Sequence, residues 1–484
     1  MARTAKKTVA RKSAGKSAAP RRTRRGAPAA QGAATAVATS ASGYRAKVRM
    51  YRQGLGDCFL ISLPRTDGSN RPFYVMIDCG VVLGTSDPGT IMTQVMDNIV
   101  AVTGGEIDLL IATHEHWDHL SGFVQAKPSF DKLTKVGQVW LAWTENPDDQ
   151  LTQKLKKEKG QALAALRMGL SQMQLAGDSD GVAELGGILE FFGAARGPTT
   201  ADALDNVRAK AKPSKPRYCL PTDPPVAPAG TNACFYVLGP PYDEKMLRKI
   251  NPSATNKETY GLALGSFQMF MDGAGTALAA VDDGRPFDQQ YEIPFAYAQS
   301  APEFDFFRKN YWQPGNAAPD AWRRIDADWL GGASDLALQL DSLTNNTSLV
   351  IAIELPGGDV LLFAADAQVG NWLSWQDRSW TVDGKTVTGP DLLNRAIFYK
   401  VGHHGSHNAT LKAQGLEEMK NLRVAMIPVD HEMAVKKRWG KMPLDELVAA
   451  LNQQAKGAVL RVDKPKPATT ENVVEDKLFF EVTF

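Results

Sequence analysis

No stretch of the 484-residue chain approaches the ~20 consecutive apolar residues that a membrane-spanning helix needs, so the sequence reads as a soluble protein with no membrane association. Cysteine is sparse. Cys58, Cys79, Cys219 and Cys234 form no CxxC pair and are too few for a disulfide framework, which points to a reducing compartment. The N-terminus lacks the apolar core of a secretory signal, so the expected location is cytoplasmic. Hydrophobic residues at 43% and charged residues at 22% exclude a wholly disordered, collagenous or coiled-coil protein.

Acidic residues are missing from residues 1–43, which hold ten of the 55 Lys and Arg and none of the 53 Asp and Glu. The net charge of +2 therefore joins a basic arm to an acidic body. The arm has almost no large apolar side chain and cannot offset its ordering entropy, so disorder is expected there. A polycation binds phosphate backbones by releasing counterions, which makes nucleic acid its natural partner if it has one. A solubilising tail is the alternative. The composition also suits an organellar transit peptide, and Ala2–Ser13 resembles the N-terminal tail of the third core histone.

Ordered structure is expected from Tyr44, where Tyr44, Ala46, Val48 and Met50 alternate with Arg45, Lys47 and Arg49 in the period of a half-buried strand. Cys58–Leu63 and Tyr74–Ile77 read as further short strands. A fourth, Ile107–Ala112, runs into Thr113-His114-Glu115-His116-Trp117-Asp118-His119-Leu120-Ser121-Gly122. Imidazole and carboxylate are ligand types that suit zinc, manganese or iron. Residues at i and i+2 of such a loop can converge on one ion while Asp118 and His119 reach a second.

Histidine is scarce as well. Six of the seven histidines fall into two clusters, His114/His116/His119 and His403/His404/His407, and such segregation suggests that the clusters meet around one site. Each follows an apolar strand, the second being Ala396–Tyr399. Val360–Ala365 ends in Asp366 and Tyr74–Ile77 ends in Asp78, which makes Asp366 a candidate ligand and Asp78 a candidate orienting group. The remaining histidine, His431, reads as a surface loop residue.

The motif Thr-His-x-His-x-Asp-His-x-x-Gly at Thr113–Gly122 resembles the signature of the metallo-β-lactamase-fold hydrolases. The resemblance implies an α/β (α+β) fold, a four-layer αββα sandwich with metals at one edge. It sharpens toward the hydrolase domain of the ComEC DNA-uptake family through Gly54–Ile61, Val237–Pro241, Asn345–Val350, Phe363–Asp366 and Lys400–Ser406. These stretches place the hydrolase domain at 44–484, with helical and loop insertions at about 145–232 and 243–343, and lack the channel of that family.

Carried over to these positions, the resemblance implies that His114 and His116 bind a first metal and Asp118 and His119 a second, with Asp366 bridging and His404 closing the set. His403 is the alternative to His404. The other of that pair, or His407, becomes a proton donor or phosphate contact, so Asp118, His403 and His407 are the candidate catalytic residues. Asp78, Asn346, Ser348 and Lys400 are expected in the supporting shell. The chain departs from many members in having no histidine between His119 and His403, so one or two divalent ions are expected, zinc first, with manganese or iron as alternatives.

Leu151–Phe192 has helical periodicity and reads as a lid or a packing appendage, whereas the Pro-rich Gly197–Asn232 reads as loop. The aromatics of Lys257–Leu343 are expected mostly in the core, with some available for base stacking. A divalent metal lowers the pKa of bound water toward ~7, supplying hydroxide at neutral pH. The expected function is a metal-dependent hydrolase, foremost a phosphodiesterase or nuclease using a metal-bound hydroxide. Hydrolysis of an ester, thioester, lactone or lactam is one alternative, and a nucleic-acid-binding module with a structural metal is another.

Overall fold

The computed structural model describes residues 43–176, 179–193, 197–250, 293, 297, 300–311, 325–437, 439, 441–468 and 470–484, with the side chains of some helical residues excepted. The readings for the arm and for Phe267, Phe270, Tyr291, Phe295, Trp312 and Trp322 lie outside these residues. Those for the side chains of Phe307 and Tyr311 do too.

The described strands are β1 (Lys47–Tyr51), β2 (Cys58–Leu63), β3 (Phe73–Cys79), β4 (Glu106–Ala112), β5 (Lys135–Ala142), β6 (Arg217–Cys219), β7 (Cys234–Gly239) and β8 (Val350–Glu354). They continue with β9 (Val360–Phe363), β10 (Ser379–Val382), β11 (Lys385–Thr388), β12 (Ala396–Lys400), β13 (Val424–Ile427), β14 (Val459–Arg461), β15 (Val473–Glu475) and β16 (Phe479–Thr483). One sheet runs β15-β16-β1-β2-β3-β4-β5-β6 and a second runs β14-β13-β12-β9-β8-β7, with β10-β11 a separate hairpin.

Three apolar layers account for the sandwich. Val48, Phe59, Ile61, Ile111 and Trp140 of the first sheet meet Phe235, Ile351, Phe363, Phe398 and Met426 of the second in a shared core. The opposite face of the first sheet packs on Met92, Val95, Met96 and Ile99 of the Pro88–Thr103 helix and on Leu204 and Val207 of the Thr200–Ala209 helix. The outer face of the second packs on Trp372, Trp375, Leu447 and Leu451. Helix, sheet, sheet and helix are thus stacked as the αββα arrangement requires.

Two local expectations are corrected. β1 is covered on both faces rather than half-buried. Arg49 is 9% exposed because it pairs with Glu481 at 2.6 Å, donates to Asn98 at 2.8 Å and lies over the Phe479 ring. Gly197–Asn232 is not all loop. Thr199 and Asp202 form a reciprocal capping box that starts the Thr200–Ala209 helix, and β6 pairs in parallel with β5. Pro198 precedes that helix, and the other prolines that suggested loop begin only at Pro213, after it has ended.

The order of strands positions the site. β3 is parallel to β4, and β12 is parallel to β9 and β13. Their carboxyl ends therefore open on one edge of the sandwich, which is how Asp78, the 113–119 loop, Asp366 and the 403–404 pair meet. β2 is antiparallel to β3, so the residue just before it, Asp57, arrives at the same edge.

Candidate metal centre

Tight backbone packing shapes this edge. A Cβ on Gly80 would lie 2.5 Å from the Asp118 carbonyl oxygen and 2.6 Å from the His119 nitrogen, so only glycine lets β3 approach the histidine loop this closely. Seven non-glycine residues among those described have positive φ, and four of them, Asp78, Ala365, His403 and His404, belong to this edge. Holding such residues left-handed costs on the order of 1–3 kcal/mol each, which surrounding contacts must offset.

The hydrogen bonds assign the histidine tautomers. Asp78, held by the Thr113 backbone N–H at 2.8 Å, accepts from the Thr113 hydroxyl at 2.6 Å and from His119 Nδ1 at 2.8 Å. Since Thr113 gives its proton to Asp78, its oxygen accepts from His114 Nδ1 at 3.1 Å. His404 Nδ1 donates to the Pro428 carbonyl at 2.9 Å. The Nε2 atoms of His119 and His404 are thereby turned toward Asp118 and Asp366, and that of His114 toward His116 Nδ1.

Four donor atoms converge there. His404 Nε2 lies 2.8 Å from Asp118 Oδ2 and 3.5 Å from Asp366 Oδ2. His119 Nε2 lies 3.2 Å from Asp366 Oδ2 and 3.8 Å from Asp118 Oδ2, and it has no hydrogen-bond partner. A tetrahedral shell at about 2.1 Å separates neighbouring donors by about 3.4 Å, so these spacings fit one divalent cation.

Asp57, His119, Asp366 and His404 also group within 4.8 Å of one another. Asp57 nevertheless faces the other ring edges, 3.8 Å from His119 Nδ1 and 3.6 Å from His404 Nδ1, and its Oδ2 is taken by Lys400 at 2.6 Å. Asp118 Oδ2, which faces both Nε2 atoms, and Asp57, which lies by the two Nδ1 atoms, are thus alternative fourth donors beside His119, Asp366 and His404.

Lys400, 1% exposed, bridges Asp57 to Asp366 at 3.1 Å and donates to the Ala365 carbonyl at 2.8 Å. Burial opposes ionisation of Asp366, but Lys400, His119 and His404 outweigh it and hold the carboxyl well below its usual range. Burial also opposes charge on His119, yet Asp366, Asp57 and Asp118 raise its pKa well above the ordinary value. Asp57, Asp78, Asp118, Asp341 and Asp366 are five buried carboxyl groups at this edge, and burial raises the pKa of Asp57 and, well above its usual range, that of Asp341. A divalent cation would compensate the carboxylates that stay charged, as buried charge requires.

The remaining expected residues are placed as follows. His114 Nε2 is 3.2 Å from His116 Nδ1. Ser348 Oγ accepts from the Asp366 backbone N–H at 3.1 Å. His403 is buried, and its Nε2 accepts from Asn345 at 3.3 Å while its Nδ1 has no partner. Asn346 does not touch the ligands. It binds the carbonyls of Met246, Leu247 and Lys249 and the backbone N–H groups of Gln368 and Asn371. His407 is half-buried and makes no hydrogen bond or ion pair with any described residue. His431 is half-buried rather than a surface loop residue, donating Nδ1 to the Met442 carbonyl at 2.9 Å from a short helix.

Sequence reasoning missed Asp57, Asp341 and Asn345. Asp57 lies inside the Gly54–Ile61 motif, and Asn345 is the immediate neighbour of the expected Asn346, so both had a local signal. Asp341 has none, since it lies within a helix, Ile325–Asn346. The helices Gln150–Ala176 and Ser179–Leu189 lie over this edge, with the Phe191 and Phe192 rings each 5.3 Å from that of His116. Among the described aromatics of the second insertion, Tyr297 and Phe306 are exposed rather than core.

Among the described residues, no helix is long and apolar enough to cross a membrane. No curated protein matches the chain. The model of the metallo-beta-lactamase superfamily matches residues 69–202, which include β3, β4 and the histidine loop, and that family suggests a metal-dependent hydrolase. With the αββα layers and the buried Asp/His cluster at the expected edge, residues 69–202 carry a metallo-beta-lactamase superfamily domain.

Proposed function

We propose that the protein is a metal-dependent phosphodiesterase or nuclease. The observation that carries the metal requirement is the convergence of His119 Nε2, His404 Nε2, Asp118 Oδ2 and Asp366 Oδ2, two imidazole lone pairs facing two carboxylate oxygens. When bound there, a divalent ion supplies Lewis acidity and a water acidified to near neutral pH.

The chain's own residues do the rest. Asp78 and Pro428 hold the two imidazoles in their ligating tautomers, and Lys400 keeps Asp366 ionised. Burial depresses the His403 pKa to about 4, so the ring is neutral, and with Nε2 accepting from Asn345 its proton sits on the unpartnered Nδ1. That N–H is a donor for a substrate oxyanion. Phosphodiester chemistry is supported by the resemblance to the ComEC hydrolase domain and by the acid-free basic arm, which would recruit nucleic acid.

One observation favours a second reading, a carbon-centred ester or thioester. A cleft with an apolar wall of Leu155, Leu247, Leu336, Leu340 and Leu343, rimmed by charged residues that include Lys156, Lys159 and Arg248, adjoins Glu115 of the histidine loop and would suit an acyl chain with a polar end. Metal content, with hydrolysis of bis(p-nitrophenyl) phosphate, single-stranded DNA and p-nitrophenyl esters, separates the two. Metal-dependent phosphodiester cleavage lost in a His114→Ala/Asp118→Ala variant is expected. Ester turnover alone would replace the first reading with the second, and a metal-free chain would overturn both.

A further inference from the structure

His114, His119 and His404 each have one ring nitrogen backed by an oxygen and the other turned into the site. The backing atoms are Thr113 Oγ1, Asp78 Oδ2 and the Pro428 carbonyl. His116 has no backing hydrogen bond. In the metal-free chain its Nδ1 donates to His114 Nε2 at 3.2 Å, a spacing that is also close to the donor separation of a shared cation once that proton is displaced, and its Nε2 is buried without a partner.

A carboxyl oxygen near that nitrogen is also unpartnered. Asp341 Oδ1 lies 3.7 Å from His116 Nε2, on a side chain from a residue only 7% exposed. Asn345, one turn later on the same helix, donates to Asp341 Oδ2 at 3.1 Å and to His403 Nε2 at 3.3 Å. The carboxyl group is thus fixed by one oxygen, with the other left free on the His116 side; burial, with the Asp118 and Asp366 charges, holds its pKa well above the usual range in the metal-free chain, so its role as acceptor belongs to the metal-loaded state.

We infer that Asp341 is the positioning residue for His116, accepting its Nε2–H and so directing Nδ1 to a cation shared with His114. The inference rests on the metal-dependent reading above. It gives the long insertion helix a role at the site. A donated N–H···carboxylate bond makes the imidazole a stronger ligand, and loss of such a partner typically weakens metal affinity about 10–100-fold. In a chain with no histidine between His119 and His403, this oxygen stabilises the corner that otherwise has two imidazoles alone.

The test titrates Zn²⁺ and Co²⁺ into the chelator-treated full chain. Wild type, Asp341→Ala, Asp341→Asn and His114→Ala are compared by chelator competition and by Co²⁺ absorption. Two ions per chain are expected in the wild type. Asp341→Ala should weaken, about 10–100-fold, the same ion that His114→Ala loses, leaving the other unchanged. Asp341→Asn, whose amide oxygen can still accept, should recover most of that loss.

Wild-type affinities for both ions in Asp341→Ala would overturn the inference, as would equal weakening of both ions. The histidine ring ¹⁵N spectrum of the zinc-loaded wild type needs no variant. A proton on His116 Nε2 is expected, and a proton on Nδ1 would overturn the assignment. Because these readouts are independent of turnover, an Asp341 effect on binding without hydrolysis of any tested substrate would sink the hydrolase reading alone. Failure of the wild type to bind either ion would sink both.

Discussion

Replacing Lys400 with Met should destabilise the metal-free protein severely and the metal-loaded protein much less. The ammonium is the permanent positive charge between Asp57 at 2.6 Å and Asp366 at 3.1 Å, and all three groups are at most 2% exposed. Removing one partner of a buried ion pair costs about 3–5 kcal/mol, because the partner charge is left uncompensated. Here two carboxylates lose their cation. A divalent ion on Asp366 and Asp118 restores positive charge, so the lost stability returns in part as tighter metal binding. If it recovers about 3 kcal/mol, metal affinity rises about 100-fold at about 1.4 kcal/mol per decade. Thermal melts of wild type and Lys400→Met with excess chelator and with excess Zn²⁺, plus chelator competition, measure both quantities. An equal loss of melting temperature in the two conditions, or weaker metal binding in the variant, would refute the assignment of Lys400 as the counter-charge.

Further expectations concern the loop and its backing groups. Gly80→Ala forces a Cβ against the Asp118 carbonyl and the His119 nitrogen, so a stability loss of about 1–3 kcal/mol and reduced metal content are expected by denaturation and metal analysis. Asp78→Leu removes the acceptor for His119 and Thr113 and should weaken metal binding at least about 10-fold by competition titration; unchanged affinity would remove Asp78 from the site. Burial pushes the His116 pKa down to about 3 and that of His403 down to about 4. In the chelated protein both rings should therefore remain neutral from pH 8 to about 5 by histidine NMR, against about 6.5 for a free imidazole; a midpoint near 6.5 at either would show that ring to be solvated. His407→Ala should leave metal content unchanged, since that ring has no bond to the cluster.

Much of the site was legible because its chemistry is local. Three histidines and an aspartate within six residues after an apolar strand are more than core packing would ever require. A strand that ends in Asp366 or in two histidines delivers them to a sheet edge whatever the rest of the chain does. Apolar segments such as Val360–Phe363 and Ala396–Tyr399 are continuous because parallel strands are covered on both faces. Arg49 defeated that reasoning. Its charge is satisfied by Glu481, 432 residues away, and alternation along five residues cannot reveal such a partner.

The tertiary structure alone decided which polar residues back the ligands. Asn345 and Asn346 are neighbours in a helix and differ by about 100° in direction, so one meets His403 and the other ties two loops together. Asp341 is one helical turn from Asn345 and more than 200 residues from His116, and only the packing of that helix over the site brings the two together. Ligand types and strand ends are properties of short segments and are written in the sequence. The oxygens that orient those ligands come from whichever elements the folded chain lays beside them, and long-range packing settles that choice.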